Sequence, residues 1–132
     1  MVAVLGTGQS AGNGLISCGL AWVGQGTNGN LYSSMSDRMY SITAIDCGAT
    51  TFVHELGHNQ GLAHSRKQGD TSGGVYVDGM GHGVQNEFAS IMAYPHVYGS
   101  ATQYDYFSNP NWSVNGLAFG VTNQAYAIRT VT

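Results

Sequence analysis

One segment constrains the fold of this 132-residue chain more than any other. It is the run HELGHNQGLAH at residues 54–64. His54 and His58 are four residues apart, so on a helix they project from the same face and can share one metal ion. The chain's own residue frequencies would produce the full spacing in about one shuffled sequence in 10^5. The segment therefore predicts a helix that presents two imidazoles to a cleft, and not histidines that merely pack.

The residues around this segment predict a helix over residues 49–60. Its apolar side chains recur at helical spacing and predict a face that packs on a sheet, formed by Ala49, Phe52, Val53 and Leu56. Gly61 predicts a left-handed residue that ends the helix and lets the chain reverse. After such a reversal His64 can supply a third ligand, and three neutral imidazoles with one open position suit a catalytic zinc ion.

Glu55 lies beside the two helical histidines in sequence, about 100° around the helix from His54. A carboxylate at that position can take a proton from water activated by the metal. The hypothesis is therefore hydrolysis with Glu55 as general base and zinc as cofactor. Because the imidazoles must be neutral to bind, zinc is expected to leave as the pH falls through about 6.

The remaining pattern predicts a single α+β domain. Three apolar runs predict strands at residues 2–5, 16–23 and 39–45, and glycine-rich segments predict loops at 6–14 and 24–30. Further along, the predictions are an irregular segment at 67–83, a turn at 109–111, a tight turn at Asn115-Gly116 and a helix at 123–131 capped by Thr122.

The two cysteines, Cys18 and Cys47, are not in a CxxC arrangement. They predict a disulfide, with two buried free thiols as the alternative. A disulfide indicates an oxidising compartment, so the expectation is a secreted or periplasmic protein.

Composition excludes several classes of partner. The chain has only four Lys and Arg residues and a formal charge of −3, so neither nucleic acid nor an anionic membrane surface is an expected partner. No apolar run reaches the roughly 18 residues of a membrane-spanning helix. The acids Asp70, Asp78 and Asp105 have no spacing that identifies a calcium loop. His82 and His96 are expected at the surface or next to a ligand, because three ligands are already in register.

Two motifs together resemble a known family. The run at residues 54–64 resembles the zinc motif of the metzincin metallopeptidases, and SIMAY at residues 90–94 resembles their Met-turn. The resemblance implies that Met92 forms an apolar cushion beneath the three histidines. It also implies that Tyr94 is a switchable zinc ligand that stabilises the tetrahedral intermediate, as in the astacin and serralysin branches. The alternative is that Tyr94 only packs.

The flanks extend the resemblance to bacterial reprolysin-like and peptidyl-Asp metallopeptidase domains. The matching segments are CGLAWV at residues 18–23 and FSNPNWSVNGLAFG at residues 107–120. The first implies an edge strand that lines the substrate, formed by Gly19, Leu20, Ala21, Trp22 and Val23. The segment from Met92 to Trp112 has no Lys or Arg, so neutral or apolar substrate side chains are expected on the primed side.

The implied architecture is a metzincin-like catalytic domain over residues 1–132, with a twisted mixed sheet and an active-site helix. Residues 1–61 form its N-terminal part and residues 62–132 an irregular C-terminal part with the Met-turn. Two features depart from the family pattern. Ser65 follows the third histidine where many reprolysin-like enzymes carry Asp, and only 53 residues precede His54. The expectation is a chain shortened at its N-terminus, with a missing segment or propeptide and a bare sheet face.

The predicted function is that of a zinc endopeptidase, bacterial and secreted, with peptides as substrates. Two alternatives stay open. One is a non-catalytic domain in which zinc only stabilises the fold. The other is a dinucleotide-binding module, since residues 2–11 fit G-x-G-x-x-G/A, although Gly12 and Gly14 disfavour the helix it requires and no acid precedes Asp37.

Overall fold

A computed structural model describes residues 1–13 and 15–132 of the chain. The helices are α1 (Ala49–Asn59) and α2 (Ile128–Val131), and 3₁₀ turns occur at Ser33–Arg38, Ile45–Cys47, Arg66–Gln68 and Pro95–Tyr98. The strands are β1 (Val2–Gly6), β2 (Gln9–Gly12), β3 (Leu15–Ser17), β4 (Gly19–Ala21), β5 (Gly26–Thr27), β6 (Asn30–Leu31), β7 (Tyr40–Ala44), β8 (Gly83–Val84), β9 (Phe88–Ala89), β10 (Thr102–Gln103), β11 (Asn109–Val114) and β12 (Leu117–Phe119). The α+β class is confirmed. In the described residues no helix has the length and apolar character needed to cross a membrane.

A mixed sheet with strand order β1-β7-β4 supports the long helix. β1 pairs with β7 in parallel, and β4 pairs with β7 in antiparallel orientation with Leu20 opposite Ile42. α1 packs against β7 and β4. β4 is therefore an edge strand that lies beside the helix carrying the histidines.

The two faces of this sheet differ in an unusual way. On the helix side β7 buries Ser41 and Thr43. On the other side apolar groups are open to solvent, with Leu20 71% and Ile42 54% exposed. Val2, Val4, Trp22 and Tyr40 are also exposed. The expectation of a bare sheet face is met by this arrangement.

The predicted helix boundaries agree with α1, but its predicted packing face is wrong. Ala49 and Val53 are exposed, and Phe52 and Leu56 are only half-buried. The buried side chains are those of the histidine motif, including His54, Glu55 and His58. The helix is covered on that side by the sheet and by the C-terminal part of the chain, so its polar side is enclosed.

The C-terminal part has few regular elements but holds most of the apolar core. Leu62, Ile91, Met92 and Ala127 form one buried cluster. Phe88 stacks on Phe119, with ring centroids 4.8 Å apart, and both are almost fully buried. Irregular backbone therefore surrounds a well-packed core.

Several local predictions are corrected by the structure. The loop predicted at residues 6–14 contains β2, which pairs with β3, while Gly14 lies outside the described residues. The strand predicted at 16–23 is divided at Cys18 into β3 and β4 and ends at Ala21. The loop predicted at 24–30 contains the paired strands β5 and β6. Short strands of two to four residues are below what periodicity can detect.

Two predictions near the C-terminus also change. The turn predicted at residues 109–111 is the start of β11. Pro110 has no backbone N–H to donate, which a strand in a two-stranded ribbon tolerates because only one of its edges is paired. The helix predicted at 123–131 is limited to α2, since Asn123 has a φ of +63° and Thr122 caps nothing. The tight turn at Asn115-Gly116 is confirmed, with φ of +52° and +76°, as a two-residue hairpin between β11 and β12 requires.

Candidate active site

The end of α1 brings the third histidine back to the first two. Gly61 has a φ of +96°, its N–H donates to the His58 carbonyl, and the Leu62 N–H donates to the Gly57 carbonyl at 2.9 Å. This pair of bonds is a Schellman motif, which glycine favours because it lacks a Cβ. The chain then turns so that the His64 ring lies 4.6 Å from the His58 ring and 5.2 Å from the His54 ring, centroid to centroid.

The three imidazoles each point one nitrogen at an oxygen acceptor. The Nδ1 of His54 lies 2.7 Å from the Ile91 carbonyl, and the Nδ1 of His58 lies 2.9 Å from the Leu62 carbonyl. The Nδ1 of His64 lies 3.3 Å from a carboxylate oxygen of Asp70. Because carbonyl and carboxylate oxygens only accept, each neutral ring carries its proton on Nδ1 and keeps a lone pair on Nε2.

The Nε2 atoms converge on one point. Those of His58 and His64 are 3.1 Å apart, and the Nε2 of His54 is buried without a hydrogen-bond partner. One ligand atom from each of the three residues lies within 4.8 Å of the other two. Lone pairs this close, one of them without a partner, fit a shared cation, and neutral imidazoles are ligands that zinc accepts.

Burial keeps these rings neutral. Desolvation lowers the pKa of His54 and of His58 to about 4, even though the carbonyls of Ile91 and Leu62 oppose the shift. Desolvation also lowers the pKa of His64, with Asp70 opposing it. At neutral pH the cluster therefore presents lone pairs and no charge of its own.

Glu55 lies next to the cluster with only 6% of its surface exposed. A Cβ added to Gly19 would overlap the Glu55 carboxylate, so β4 can approach the side chain this closely only because residue 19 is glycine. Desolvation raises the pKa of Glu55 to about 7. The carboxyl group can therefore both accept and release a proton near neutral pH.

Met92 and Tyr94 both lie near the residues of the histidine motif. Met92 is fully buried, and its Sδ would be 2.8 Å from a Cβ added to Gly57, the residue before His58. The Tyr94 ring stacks on His54 at 5.5 Å and lies 5.0 Å from His64, centroid to centroid. Desolvation raises the pKa of Tyr94, with smaller contributions from Glu55 and Asp70, so its hydroxyl keeps its proton.

A cleft of about 790 Å³ opens in front of Glu55. Its lining is Ile16, Ser17, Cys18, Gly19, Cys47, Thr50, Thr51, His54, Glu55, Ile91, Tyr94, His96 and Gln103. Of the predicted substrate-lining strand, only Gly19 belongs to this lining. Leu20, Ala21 and Trp22 line a separate apolar groove on the sheet, and Val23 follows the end of β4. His96 is exposed in the cleft, whereas His82 is half-buried elsewhere.

The predicted disulfide between Cys18 and Cys47 is present, with Cα atoms 5.6 Å apart. It joins the residue before β4 to the turn that precedes α1. The disulfide therefore links two segments of the cleft lining.

The comparison with family models identifies the chain. The reprolysin model, described as metallo-peptidase family M12, matches residues 1–108. The chain belongs to this family. A metal ion at the three histidines is consistent with membership, and the resemblance to reprolysin-like metallopeptidases is confirmed.

Curated relatives of this M12 domain are bacterial proteins named peptidyl-Asp metalloendopeptidase. One from Pseudomonas aeruginosa is 40% identical over 121 residues, which is 83% of this chain and 20% of the relative. One from Xanthomonas campestris is 37% identical over 61% of this chain and 19% of the relative. One from Stenotrophomonas maltophilia is 35% identical over 70% of this chain and 23% of the relative. The chain thus spans about a fifth of the length of these relatives.

A solved structure supports the fold of the M12 domain. It is described as "Structure of a chaperone-substrate complex", and the match has a TM-score of 0.63 at 22% identity over 98% of this chain and 18% of that chain. At this identity the likeness concerns the fold alone.

Three side chains around the site of the M12 domain were not singled out from the sequence as site residues. Asp70 contacts His64, and fully buried Asn59 donates to the carbonyls of Trp22 and Tyr40 at 2.9 and 3.0 Å. The Gln68 side-chain oxygen accepts the Ser65 hydroxyl at 2.8 Å and the backbone N–H of Tyr94 at 3.0 Å. Asn59 had a signal, since it lies within the motif, and Gln68 had one, since Ser65 and Gln68 have the spacing of a capping box. The contact of Asp70 with His64 depends on a turn that no sequence pattern specifies.

Proposed function

We propose that this chain is the catalytic domain of a zinc endopeptidase, with His54, His58 and His64 as the metal ligands. The observation that carries the proposal is the convergence of three Nε2 lone pairs while each Nδ1 faces an acceptor. Three neutral imidazoles and no carboxylate ligand favour zinc over a hard cation. When bound, zinc supplies a Lewis acid and lowers the pKa of water to near 7.

Glu55 is proposed as the general base and then the general acid. Its side chain lines the cleft, and burial raises its pKa to about 7. It takes a proton from the attacking water and later delivers it to the amine that leaves. A group with a pKa near the working pH is best suited to both transfers.

Tyr94 is proposed to donate a hydrogen bond to the oxygen on which negative charge develops. Its ring lies within 5.5 Å of both His54 and His64, and its raised pKa keeps the phenol protonated. Such a donor acts only as charge develops, which is when it accelerates the reaction.

Met92 is proposed to support the rings from below through the packing of its side chain near Gly57.

The substrate is proposed to be an extended peptide that adds to the free edge of β4 (Gly19–Ala21), which forms the first part of the edge strand predicted over Gly19–Val23. The edge of β4 away from β7 is unpaired among the described strands. Backbone hydrogen bonds to such an edge hold a peptide without requiring a particular sequence. Leu20 and Trp22 would contribute through their backbone, since their side chains belong to the other groove.

The side chain next to the cleaved bond is proposed to be aspartate, as in the names of the three relatives. The sequence favoured neutral or apolar substrate side chains because cations are absent from residues 92–112. The cleft lining is largely apolar but includes the polar side chains of Thr50, Thr51, His96 and Gln103. The Thr50 hydroxyl donates to Asp105, the Thr51 hydroxyl donates to the Cys47 carbonyl, and the Gln103 amide donates to the Ala89 and Ser90 carbonyls. The proposal of aspartate therefore rests on the names of the relatives.

Location and organisation complete the proposal. The disulfide indicates an extracellular or periplasmic protein, and the relatives are bacterial. We therefore propose a secreted protein that includes further segments, among them a propeptide. The division into parts at residues 1–61 and 62–132 is also proposed, because the first part contains the main sheet and α1 and the second contains Met92.

The open apolar face of the sheet favours one second candidate, a domain in which zinc only stabilises the fold and the exposed face contacts other protein. Replacement of the base separates the two. For Glu55→Gln we expect zinc content to stay the same and cleavage of casein and of an aspartyl peptide library to fall by about 10²- to 10⁴-fold. Glu87→Gln is the matched control, because Glu87 is exposed and remote from the cleft. Absence of chelator-sensitive cleavage in the unaltered chain would support the second candidate.

A further inference from the structure

The third histidine is held differently from the other two. His64 lies outside the helix, and its side chain is 28% exposed, whereas His54 and His58 are buried. Its Nδ1 faces a carboxylate and not a backbone carbonyl. Resting on the proposed metal site, we propose that Asp70 is a positioning residue, which fixes the tautomer and orientation of His64 and strengthens its binding to the metal.

The contact between the two residues has two parts. The Asp70 Oδ2 accepts the backbone N–H of His64 at 2.8 Å, and the same atom lies 3.3 Å from the ring Nδ1. One oxygen thus addresses both the backbone and the ring of the same residue. Rotation of the His64 ring would break the contact between Nδ1 and this oxygen, so the carboxylate restrains the ring.

The position of the ring proton decides whether His64 can bind a cation. With a carboxylate beside Nδ1, the neutral ring places its proton there and leaves the Nε2 lone pair free. That Nε2 lies 3.1 Å from the Nε2 of His58, whose own proton is directed to the Leu62 carbonyl. Without Asp70, a proton on the His64 Nε2 would form a hydrogen bond to His58 and occupy the lone pair that the metal needs.

A short turn holds Asp70 in place. The Gln68 N–H donates to the Ser65 carbonyl, the Gly69 N–H donates to the Arg66 carbonyl, and the Arg66 Nη1 donates to the Thr71 carbonyl at 2.8 Å. Among the ion pairs in the described part of the chain, Asp70 contacts only His64. The carboxylate therefore has no competing cationic partner.

Carboxylates that accept from a metal-bound imidazole change metal affinity by about 10- to 100-fold when they are replaced. Two substitutions separate charge from geometry. Asp70→Asn keeps an oxygen that can accept both N–H groups but removes the charge. Asp70→Ala removes both. We expect the zinc affinity of the oxidised chain to fall by about 10-fold for Asp70→Asn and toward 100-fold for Asp70→Ala.

Competition with a chromophoric chelator measures the affinity for zinc without any peptide substrate. The matched control is Asp37→Asn, which removes the same charge at an exposed position where the carboxylate contacts only the neighbouring Ser36. It should change the affinity less than 2-fold. If Asp70→Ala binds zinc as tightly as Asp37→Asn, the inference is wrong.

A tautomer measurement distinguishes positioning from a purely structural role. In ¹H–¹⁵N long-range spectra of the metal-free chain, we expect the Nδ1–H form of His64 in the unaltered protein and in Asp70→Asn. Asp70→Ala should shift the ring toward the Nε2–H form. The inference would be overturned if the tautomer is unchanged and the free energy of zinc binding falls by the same amount as the free energy of unfolding. His64→Ala tests the metal site itself, since no loss of zinc affinity there would contradict the proposed function instead.

Discussion

The two halves of this domain are stabilised in opposite ways. In residues 1–61, which contain the main sheet and α1, the buried apolar side chains that the structure describes are only Met35 and Ala44. In residues 62–132, which have short strands and turns, the buried apolar side chains include Leu62, Met80 and Phe88. The half with more regular structure therefore has less apolar burial.

The difference shows what holds each half together. The sheet-and-helix half depends on hydrogen bonds, a disulfide and the histidine cluster, while its apolar sheet face is open to solvent. The C-terminal half depends on packing around Phe88, Phe119 and the Leu62 cluster. The histidine site joins the halves, since His54 and His58 come from one and His64 from the other.

A pair of core substitutions tests this contrast most strongly. Phe88→Ala should lower the free energy of unfolding by about 3 to 5 kcal/mol, because it removes a fully buried ring that stacks on Phe119. Ile42→Ala should change it by less than about 0.5 kcal/mol, because Ile42 is exposed. Urea titration of the oxidised chain gives both values. Equal losses would mean that the sheet face is covered in solution.

The disulfide should be the largest single contribution in the first half. Replacement of both Cys18 and Cys47 by Ser should cost about 3 to 4 kcal/mol, because the bridge closes a loop between residues 29 positions apart. Reductant should destabilise the unaltered chain by a similar amount and leave the double variant unchanged. A loss below about 1 kcal/mol would show that the two segments of the cleft lining are held by other contacts.

Sequence patterns predicted the parts of the site that depend on local geometry. The spacing of His54 and His58, the glycine at 61 and the return of His64 follow from helix periodicity and from the left-handed region that glycine occupies. The disulfide was predicted from two cysteines that form no CxxC motif, and it is present. The roles of Tyr94, Met92 and the edge strand stay proposals.

The wrong predictions share a cause. The packing face of α1 was inferred from apolar residues such as Phe52 and Val53. The buried side chains are instead the polar ones of the motif, because the sheet and the C-terminal part of the chain cover that side of the helix. The strands of two to four residues, such as β5 and β6, depend on partners distant from any periodic signal. Tertiary contacts, including that of Asp70 with His64, are decided by turns whose geometry the sequence alone does not specify.

Acid should destabilise the histidine cluster when no metal is present. The unfolded chain takes up protons near pH 6.5, whereas folded His54 and His58 do so only near pH 4. Because the unfolded state binds more protons between these values, the histidines lose stability as the pH falls, by about 1 to 2 kcal/mol per histidine between pH 7 and pH 5. Glu55 acts in the opposite direction, because burial raises its pKa to about 7 and the folded state takes up its proton first. Unfolding of the chelator-treated Glu55→Gln variant across this range therefore measures the histidine slope. The lowered pKa values also mean that protons compete with zinc for these rings at a lower pH than they do for ordinary histidines.

A variant of either histidine provides the control for this slope. In the Glu55→Gln background, His54→Gln should reduce the pH dependence, and His96→Gln should leave it unchanged, because His96 is exposed in the cleft. A stability profile of Glu55→Gln that is flat between pH 7 and pH 5 would contradict the burial of the cluster.

The smallest expected effect concerns the polar contacts of the first half. Asn59 is fully buried on α1 and donates to the carbonyls of Trp22 and Tyr40, so it links the helix to both β4 and β7. Asn59→Ala should cost about 2 kcal/mol, since it removes two hydrogen bonds and leaves both carbonyls without this donor. Asn111→Ala is the matched control in the second half, where an exposed amide donates to the Tyr126 hydroxyl at 3.1 Å, and it should cost less than about 0.5 kcal/mol. Equal values would mean that the sheet-and-helix half does not depend on this polar link, and the contrast between the halves would then rest on the disulfide and the metal site alone.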